Sequence, residues 1–481
     1  MANREFSIVI LAAGKATRFK SERSKLLHPL AGRPLGEYVV RTALAAGPQN
    51  VLMVVGHDAA AVRQALARPG VEFVEQKQQL GTGHALIVAR PQLESWTSPT
   101  IAVVVGDAPL LGAETLQAFV DAHQKARAAL SVLTMRLEQP HGYGRILRSK
   151  GVRVRAIVEE RLCTPAQQKV REVSSGILCF SRPDLLKHLD QLSNKNAQKE
   201  YLLTDLVTIF NRQRKKVAGF PVEDPREVQG VNDRVQLARV ERTLRARKAE
   251  ALMREGVTIV NPDATYIDAE VEVGRDSVLE PGVSLLGRSR VGCDCTIRAY
   301  STISDTTLGD GVLVRPCSVI ADCEIASRVI IGPFAHLRDG AVIEQDARVG
   351  NFVEVKKSRV GRGTKAWHLT YLGDAQLGRQ VNVGAGTVTC NYDGEKKNPT
   401  IVEDGVFIGS GSMLVAPVRI GKGSYVAAGS TITEDVQAES LAIGRAHQVN
   451  KVGWVRKRKE EELQTKAGAG PGEPGSSSSD H

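Results

Sequence analysis

The stretch that decides the fold runs from residue 271 to 303: VEVGRDSVLEPGVSLLGRSRVGCDCTIRAYSTI. Within it Val273, Leu279, Leu285, Val291, Ile297 and Ile303 fall six apart without exception. After a five-residue step the rhythm resumes at Leu308, Val314 and Ile320, and a second such step brings in Ile325, Ile331, Leu337, Ile343, Val349 and Val355. Val402, Ile408, Leu414, Ile420, Val426 and Ile432 close the series, and glycine often follows the aliphatic position, as in Val291-Gly292 and Ile408-Gly409. A period of six fits neither a helix nor an alternating strand. It suits a solenoid in which one short strand and one turn recur, three hexads close a triangular coil, and the aliphatic residue fills the interior corner. Two segments depart from the rhythm: KAWHLTYLGD (365–374) reads as an interruption, and CNYDGEKKNPTI (390–401) as a loop thrown out of the coil.

Toward the N-terminus, residues 232–255 are rich in Ala, Arg, Glu and Leu, with Leu237, Val240 and Leu244 on one helical face and Gly256 as a stop. Before them the apolar runs SIVIL (7–11), VLMVV (51–55), IAVVV (101–105) and SVLTM (131–135) alternate with longer amphipathic stretches. That alternation predicts a mostly parallel, Rossmann-like sheet covered on both faces. The expected organisation is an α/β domain at 1–231, a connecting helix at 232–255, the solenoid at 256–455, and a disordered tail at 456–481. The tail holds the charge block RKRKEEE and ends in the Gly/Pro/Ser-rich KAGAGPGEPGSSSSDH.

Composition narrows the function. Of 481 residues 42% are hydrophobic, no apolar run approaches the length of a membrane span, and the short run from Phe6 to Ala13 reads as a buried strand rather than a leader. The net charge of +11 suits anionic partners, but 4% aromatic content, with no aromatics among the basic clusters, argues against nucleic acid. The seven cysteines are scattered, and Cys293-x-Cys295 lacks a second pair to make a zinc site, so buried thiols in a reducing cytoplasm are expected.

LAAGKATR (11–18) follows the first strand without the spacing of a Walker loop or of G-x-G-x-x-G. A small-residue turn leaving a strand exposes backbone N–H groups, and Arg18 and Lys25 bring positive charge, which together make an anion site. QQLGTGHA (78–85), GDAPL (106–110), GYGRI (142–146), NAQKEYLLTD (196–205) and GVNDR (230–234) accompany it. Asp107 follows the strand IAVVV, where a carboxylate suits Mg²⁺, although GDxP alone is also ordinary turn chemistry.

With these motifs the first half resembles the sugar-phosphate nucleotidyltransferases. The chain to about residue 455 resembles the bifunctional bacterial N-acetylglucosamine-1-phosphate uridylyltransferase/glucosamine-1-phosphate acetyltransferase family. The resemblance implies a nucleotidyltransferase domain followed by a left-handed parallel β-helix of hexapeptide repeats, assembled as a homotrimer. It implies acetyl transfer from acetyl-CoA to glucosamine 1-phosphate, then Mg²⁺-dependent uridylyl transfer from UTP to N-acetylglucosamine 1-phosphate. It assigns Leu11, Ala12, Ala13, Gly14, Gln76, Gly81 and Thr82 to the nucleotide, Lys25 to its phosphates, and Arg18 to charge developing on the transferred group. Asp107 and Asn232 would hold Mg²⁺, and Gly144, Glu159 and Ser174 would meet the sugar. In the solenoid His368 would be the general base, with Arg338 and Lys356 on the sugar phosphate and Tyr371 and Asn382 positioning the sugar. Ala385, Ser410, Ala428 and Arg445 match acetyl-CoA positions, and Asn391 and Tyr392 match a loop pair that closes on that site. From the coil length alone, Arg338, Lys356 and Tyr371 should lie roughly above one another.

The chain departs from the family's pattern at Ala16, where a glycine is usual, at Ser24 (proline), at Ser174 (asparagine) and at Trp367 (a smaller or polar residue). Ser174 keeps a hydroxyl with shorter reach and predicts a raised KM for the sugar phosphate. Two other readings compete: a single-activity nucleotidyltransferase whose solenoid is a scaffold, and a non-enzymatic binding protein on the same plan. Arg18, Lys25, Asp107 and Asn232 together disfavour the binder, and His368 with Arg338, Lys356 and the CNYDG loop disfavours the scaffold. Cys390 as an acyl-carrying nucleophile has no adjacent basic residue and ranks behind direct attack by the amine.

Overall fold

The structure, a computed structural model, describes residues 5–15, 17–149, 151–196 and 199–468. Ala16 lies outside the described residues. The chain divides into two compact units, one through Gly340 and one from Ala341 onward.

The first unit opens with a nine-stranded sheet: β1 (Phe6–Ala12), β2 (Val51–Val55), β3 (Val71–Glu75), β4 (Thr100–Val105), β5 (Leu130–Arg136), β6 (Arg145–Arg148), β7 (Val154–Val158), β8 (Glu172–Ser181) and β9 (Val217–Pro221). The main order is β9-β5-β8-β4-β1-β2-β3; β8 runs antiparallel to both neighbours, and the hairpin β6–β7 joins at β8. Strand residues alternate between faces, so the Phe6, Ile8, Ile10 and Ala12 side chains enter one core cluster while Val9 enters the other. Helices cover both faces, which is why β1 reads as an unbroken apolar run rather than an alternating one. β2 lies to one side of β1 and β4 to the other, so the chain reverses its direction of winding there. Open α/β sheets form their ligand crevice beyond the carboxyl ends of strands at such a switch.

The helix Arg234–Arg254 starts at Asp233, whose side chain accepts from the Gln236 N–H at 2.7 Å. Val240 is buried in the sheet domain's core, with Leu237 and Leu244 packed alongside. Val257 N–H bonds back to Leu252 C=O at 3.1 Å, and Leu252 is 3% exposed, so the helix also seats the first coil. Glu270 from that coil pairs with Arg33 and Arg41, and Ala269 N–H donates to Ala31 C=O at 3.1 Å.

Short parallel strands then repeat at one-coil offsets. Val278 aligns with Thr296, Leu313 and Ile330 in the first unit; Arg348 aligns with Lys365, Asn382, Phe407, Tyr425 and Leu441 in the second. Every aliphatic residue of the hexad series is buried. KAWHLTYLGD does not interrupt the coil, contrary to its sequence reading. It forms a nine-residue strand, β11 (Lys365–Gly373), paired with β10 (Arg348–Lys356), and the rhythm continues through Val360, Ala366, Leu372, Leu377, Val383 and Thr389, all buried. Alanine and threonine occupy corners here, and their small or polar side chains hid the period. The 390–401 segment does leave the coil: Tyr392 bridges Lys397, and the coil resumes at Thr400–Val402.

A disordered tail from 456 is contradicted over its first part. Trp454–Gly468 is a helix in which cationic Arg458 lies over the Trp454 ring and pairs with Glu462 one turn on. Opposite charges four apart favour a helix, a spacing that net cancellation of the charge block concealed. Residues 469–481 lie outside the described residues. Among the described residues no helix is long and apolar enough to cross a membrane.

Candidate active sites

At the switch point a cavity of about 590 Å³ opens. Leu11, Ala12, Ala13 and Gly14 reach it from the end of β1, Asp107 from the end of β4, and Gly81 and Thr82 from the start of the helix Thr82–Ser95; Lys25 and Gln76 complete the expected set. Gly106 N–H donates to Leu11 C=O at 2.8 Å, which ties the two strand ends together. Gln76 is 2% exposed and donates from Nε2 to Gly81 C=O at 3.0 Å, fixing the turn that begins the helix. A helix N-terminus beside a small-residue turn offers backbone donors to an anion. Lys15, Gln79, Glu200 and Leu202 also line the cavity; each lay in a segment the sequence had marked, but none had been given a role of its own.

Two cation–oxygen pairs stand near this end of the sheet, and of the four residues Lys25 and Asp107 line the cavity. Lys25 Nζ pairs with Asp107 Oδ2 and also donates to Val231 C=O at 3.2 Å, while Arg18 donates to Asn232 Oδ1 at 3.1 Å. Val231 N–H donates to Asp107 C=O at 2.8 Å, so the 230–232 loop is laced to the end of β4. Asp107 brings a carboxylate and Asn232 an amide oxygen, each facing a positive group, and both are hard donors of the kind Mg²⁺ takes alongside phosphate and water. Among the described residues no group of three or more His, Cys, Asp or Glu side chains is arranged to hold a metal without such help. Tyr143 stands close enough for its hydroxyl to be held in the neutral form by burial and then by the Asp107 charge, with Arg18 opposing.

The three expected sugar contacts meet on β6–β8. Ser174 N–H donates to Gly144 C=O at 2.9 Å, and a methyl group on Gly144 would stand 3.6 Å from Glu159 Oε1. Burial raises the Glu159 carboxyl above its ordinary range, Arg161 opposing and Asp205 adding to the shift. The Ser174 hydroxyl is already engaged, accepting from Gly176 N–H at 3.2 Å. Ser24 offers what proline lacks, an N–H that donates to Asp58 Oδ2 at 3.4 Å.

In the second unit His368 on β11 stands opposite Asn351 on β10, and its Nδ1 lies 2.8 Å from Asn351 Oδ1. An amide oxygen accepts but cannot donate, so this contact places the proton on Nδ1 and leaves Nε2 as the acceptor. Nothing in the sequence marked Asn351, since its partner sits a full coil away. Tyr371 pairs with Glu354 rather than Lys356, which stands opposite Gly373. The Tyr371 ring lies against Gly373, so its hydroxyl reaches toward the Lys356 position, and Asn391 donates to that hydroxyl at 3.5 Å. Asn391 is 7% exposed and also donates to Asp374 Oδ2 at 2.6 Å, whereas Tyr392 is exposed. Asn382 stands in a different column, with Lys365 and Phe407. Ala385, Ser410 and Ala428 fall at equivalent positions of successive coils, tied by Gly411 N–H to Ala385 C=O and Gly429 N–H to Ser410 C=O; Arg445 follows on the next coil. Arg338 ends a strand of the first unit, where it pairs with Asp339 at 2.8 Å.

Residues 8–207 match the MobA-like NTP transferase domain family, and residues 399–434 match the bacterial transferase hexapeptide (six repeats) family. A nucleotide-type crevice on the first fold and a histidine site on the second thus define a nucleotidyltransferase joined to a hexapeptide-repeat acyltransferase. The chain is 45% identical over 468 residues to the bifunctional protein GlmU of Koribacter versatilis (strain Ellin345), covering 96% of this chain and 99% of that protein. It is 51% identical over 469 residues to the bifunctional protein GlmU of Anaeromyxobacter sp. (strain K), covering 96% and 95%. The chain belongs to the GlmU family of bifunctional proteins.

Proposed function

We propose that the chain makes UDP-N-acetylglucosamine by two transfers, one in each half. The observation that carries the reading is the coexistence of two side-chain constellations: the crevice with the Lys25–Asp107 and Arg18–Asn232 pairs, and the Asn351–His368 pair on the solenoid. In the second half the amine of glucosamine 1-phosphate attacks the thioester carbonyl of acetyl-CoA. The C–N bond forms, His368 Nε2 takes the amine proton, the C–S bond breaks, and the histidine returns that proton to the departing sulfur, so coenzyme A leaves as its thiol. Lys356, Tyr371 and Asn382 serve the amino-sugar phosphate; Ala385, Asn391, Tyr392, Ser410, Ala428 and Arg445 serve the coenzyme.

In the first half the phosphate oxygen of N-acetylglucosamine 1-phosphate attacks the α-phosphorus of UTP and pyrophosphate leaves. Leu11–Gly14, Gln76, Gly81 and Thr82 hold the nucleotide, Lys25 and Arg18 neutralise the phosphates, and Gly144, Glu159 and Ser174 place the sugar. Asp107 and Asn232 would hold Mg²⁺, which when bound supplies further neutralisation of the triphosphate. All seven cysteines are free thiols, in keeping with a reducing cytoplasm, and the homotrimer implied by the family completes the reading.

A paired assay tests it, following coenzyme A thiol and pyrophosphate separately with glucosamine 1-phosphate, acetyl-CoA, UTP and Mg²⁺. Both signals are expected, and pyrophosphate should require acetyl-CoA unless N-acetylglucosamine 1-phosphate is supplied. Pyrophosphate without thiol release would reduce the solenoid to a scaffold.

A further inference from the structure

The loop Gly142–Gly144 is held residue by residue. Gly142 N–H donates to Glu160 Oε2 at 2.5 Å, Tyr143 C=O accepts from Arg145, and Gly144 C=O accepts from Ser174 N–H at 2.9 Å. Arg145 and Glu160 are themselves joined, Nη2 to Oε1 at 3.1 Å, and His141 Nδ1 approaches the same oxygen at 3.3 Å. Arg145 is 2% exposed, and its Nε has no hydrogen-bond partner among the described residues. A buried guanidinium with a donor left unpaired is a poor stabiliser, because desolvation offsets much of the attraction. What the pair does supply is geometry. Glu160 follows Glu159 directly, so one carboxylate ties the loop bearing Gly144 to the turn bearing Glu159.

We infer that Arg145 and Glu160 are positioning residues for sugar selection: they hold Gly144 and Glu159 at the spacing that a phosphorylated N-acetyl sugar requires. The inference rests on the reading of Gly144 and Glu159 as sugar contacts. The Gly142 N–H, followed by Arg145 and His141, holds the Glu160 carboxyl below its ordinary range despite some desolvation, so the clamp is charged at neutral pH. With Ser174 in place of a longer amide, the sugar end depends more on this backbone placement than on side-chain reach.

Glu160→Gln keeps the shape but cannot accept from both Gly142 and Arg145. Expected in the full-length enzyme is a rise of about tenfold in the KM for N-acetylglucosamine 1-phosphate, the cost of a small misplacement of binding groups. UTP affinity, measured by calorimetry without sugar, and acetyl transfer should stay at wild-type values. Glu160→Asp, shorter by one methylene, should show the same sugar-selective pattern. An unchanged sugar KM in both variants overturns the clamp, as does a parallel loss of UTP affinity, kcat and melting temperature, which would mark a purely structural pair. If the wild-type enzyme forms no pyrophosphate from UTP and this sugar phosphate, the parent reading fails first and the clamp falls with it.

Discussion

The contact between His368 and Asn351 shows how one side chain sets the chemistry of another. With Nδ1 bonded to an amide oxygen at 2.8 Å, the imidazole keeps Nε2 as its acceptor, which the proposed general base requires. Asn351→Ala frees the ring to rotate and change tautomer, and acetyl-transfer kcat should fall about 10- to 100-fold, as when a supporting hydrogen bond to an active histidine is removed. Asn351→Asp keeps the acceptor but adds a negative charge that favours imidazolium, so activity should survive while the acid limb of the pH–rate profile moves to higher pH. Equal profiles for wild type and Asn351→Asp would exclude this role. In the other half, Ser174 is 8% exposed; its hydroxyl accepts from Gly176 N–H and keeps its own O–H to donate, but it is shorter than asparagine and has no amide. Ser174→Asn should therefore lower the sugar-phosphate KM with kcat little changed; steady-state kinetics with UTP saturating would read it.

Among the elements, the helix Ala113–Ala126 buries His123 against β5, where Nδ1 lies 2.8 Å from Ser131 Oγ. Burial lowers its pKa from 6.5 to about 4. The unfolded chain takes up the proton first, so the stability His123 contributes is complete above pH 6.5 and lost as pH falls to about 4. That loss is worth about 3 kcal/mol at 1.36 kcal/mol per unit. Urea unfolding at pH 7 and pH 4.5 should show a steeper acid loss for the wild type than for His123→Gln. The solenoid imposes a different constraint, the strand spacing of about 4.8 Å between coils. A methyl group on Gly350 would collide with the backbone of Trp367 on the next coil, and backbone cannot turn aside as a side chain can. Gly350→Ala should cost about 3 kcal/mol, at the upper end for overpacking, and lower the melting temperature. A melting temperature within a degree of wild type would show that the coil can relax.

On the scale of the whole molecule the two sites belong to separate compact units, and each should survive loss of the other. Asp107→Asn is expected to abolish pyrophosphate release while leaving thiol release intact, and His368→Ala to do the reverse. Loss of both activities in either folded variant would refute the division of labour. The solenoid was legible down to single residues, because a buried corner every six residues leaves a one-dimensional trace. It became illegible only where Ala366 and Thr389 took corners that aliphatics occupy elsewhere. The sheet was legible as apolar runs, and the crevice as small-residue turns after them.

Local rules therefore settled which segments become strand, coil and helix, since period, turn chemistry and apolar runs act over a few residues. They did not reach the tail helix, whose i,i+4 charge pairs were masked by a near-zero sum. The partnerships that make the sites work lie beyond such rules. Lys25 with Asp107, Arg18 with Asn232, His368 with Asn351 and Arg145 with Glu160 are separated by 82, 214, 17 and 15 residues. Their meeting is decided by strand order, by coil register and by the hairpin β6–β7, because only packing brings distant side chains within hydrogen-bond reach.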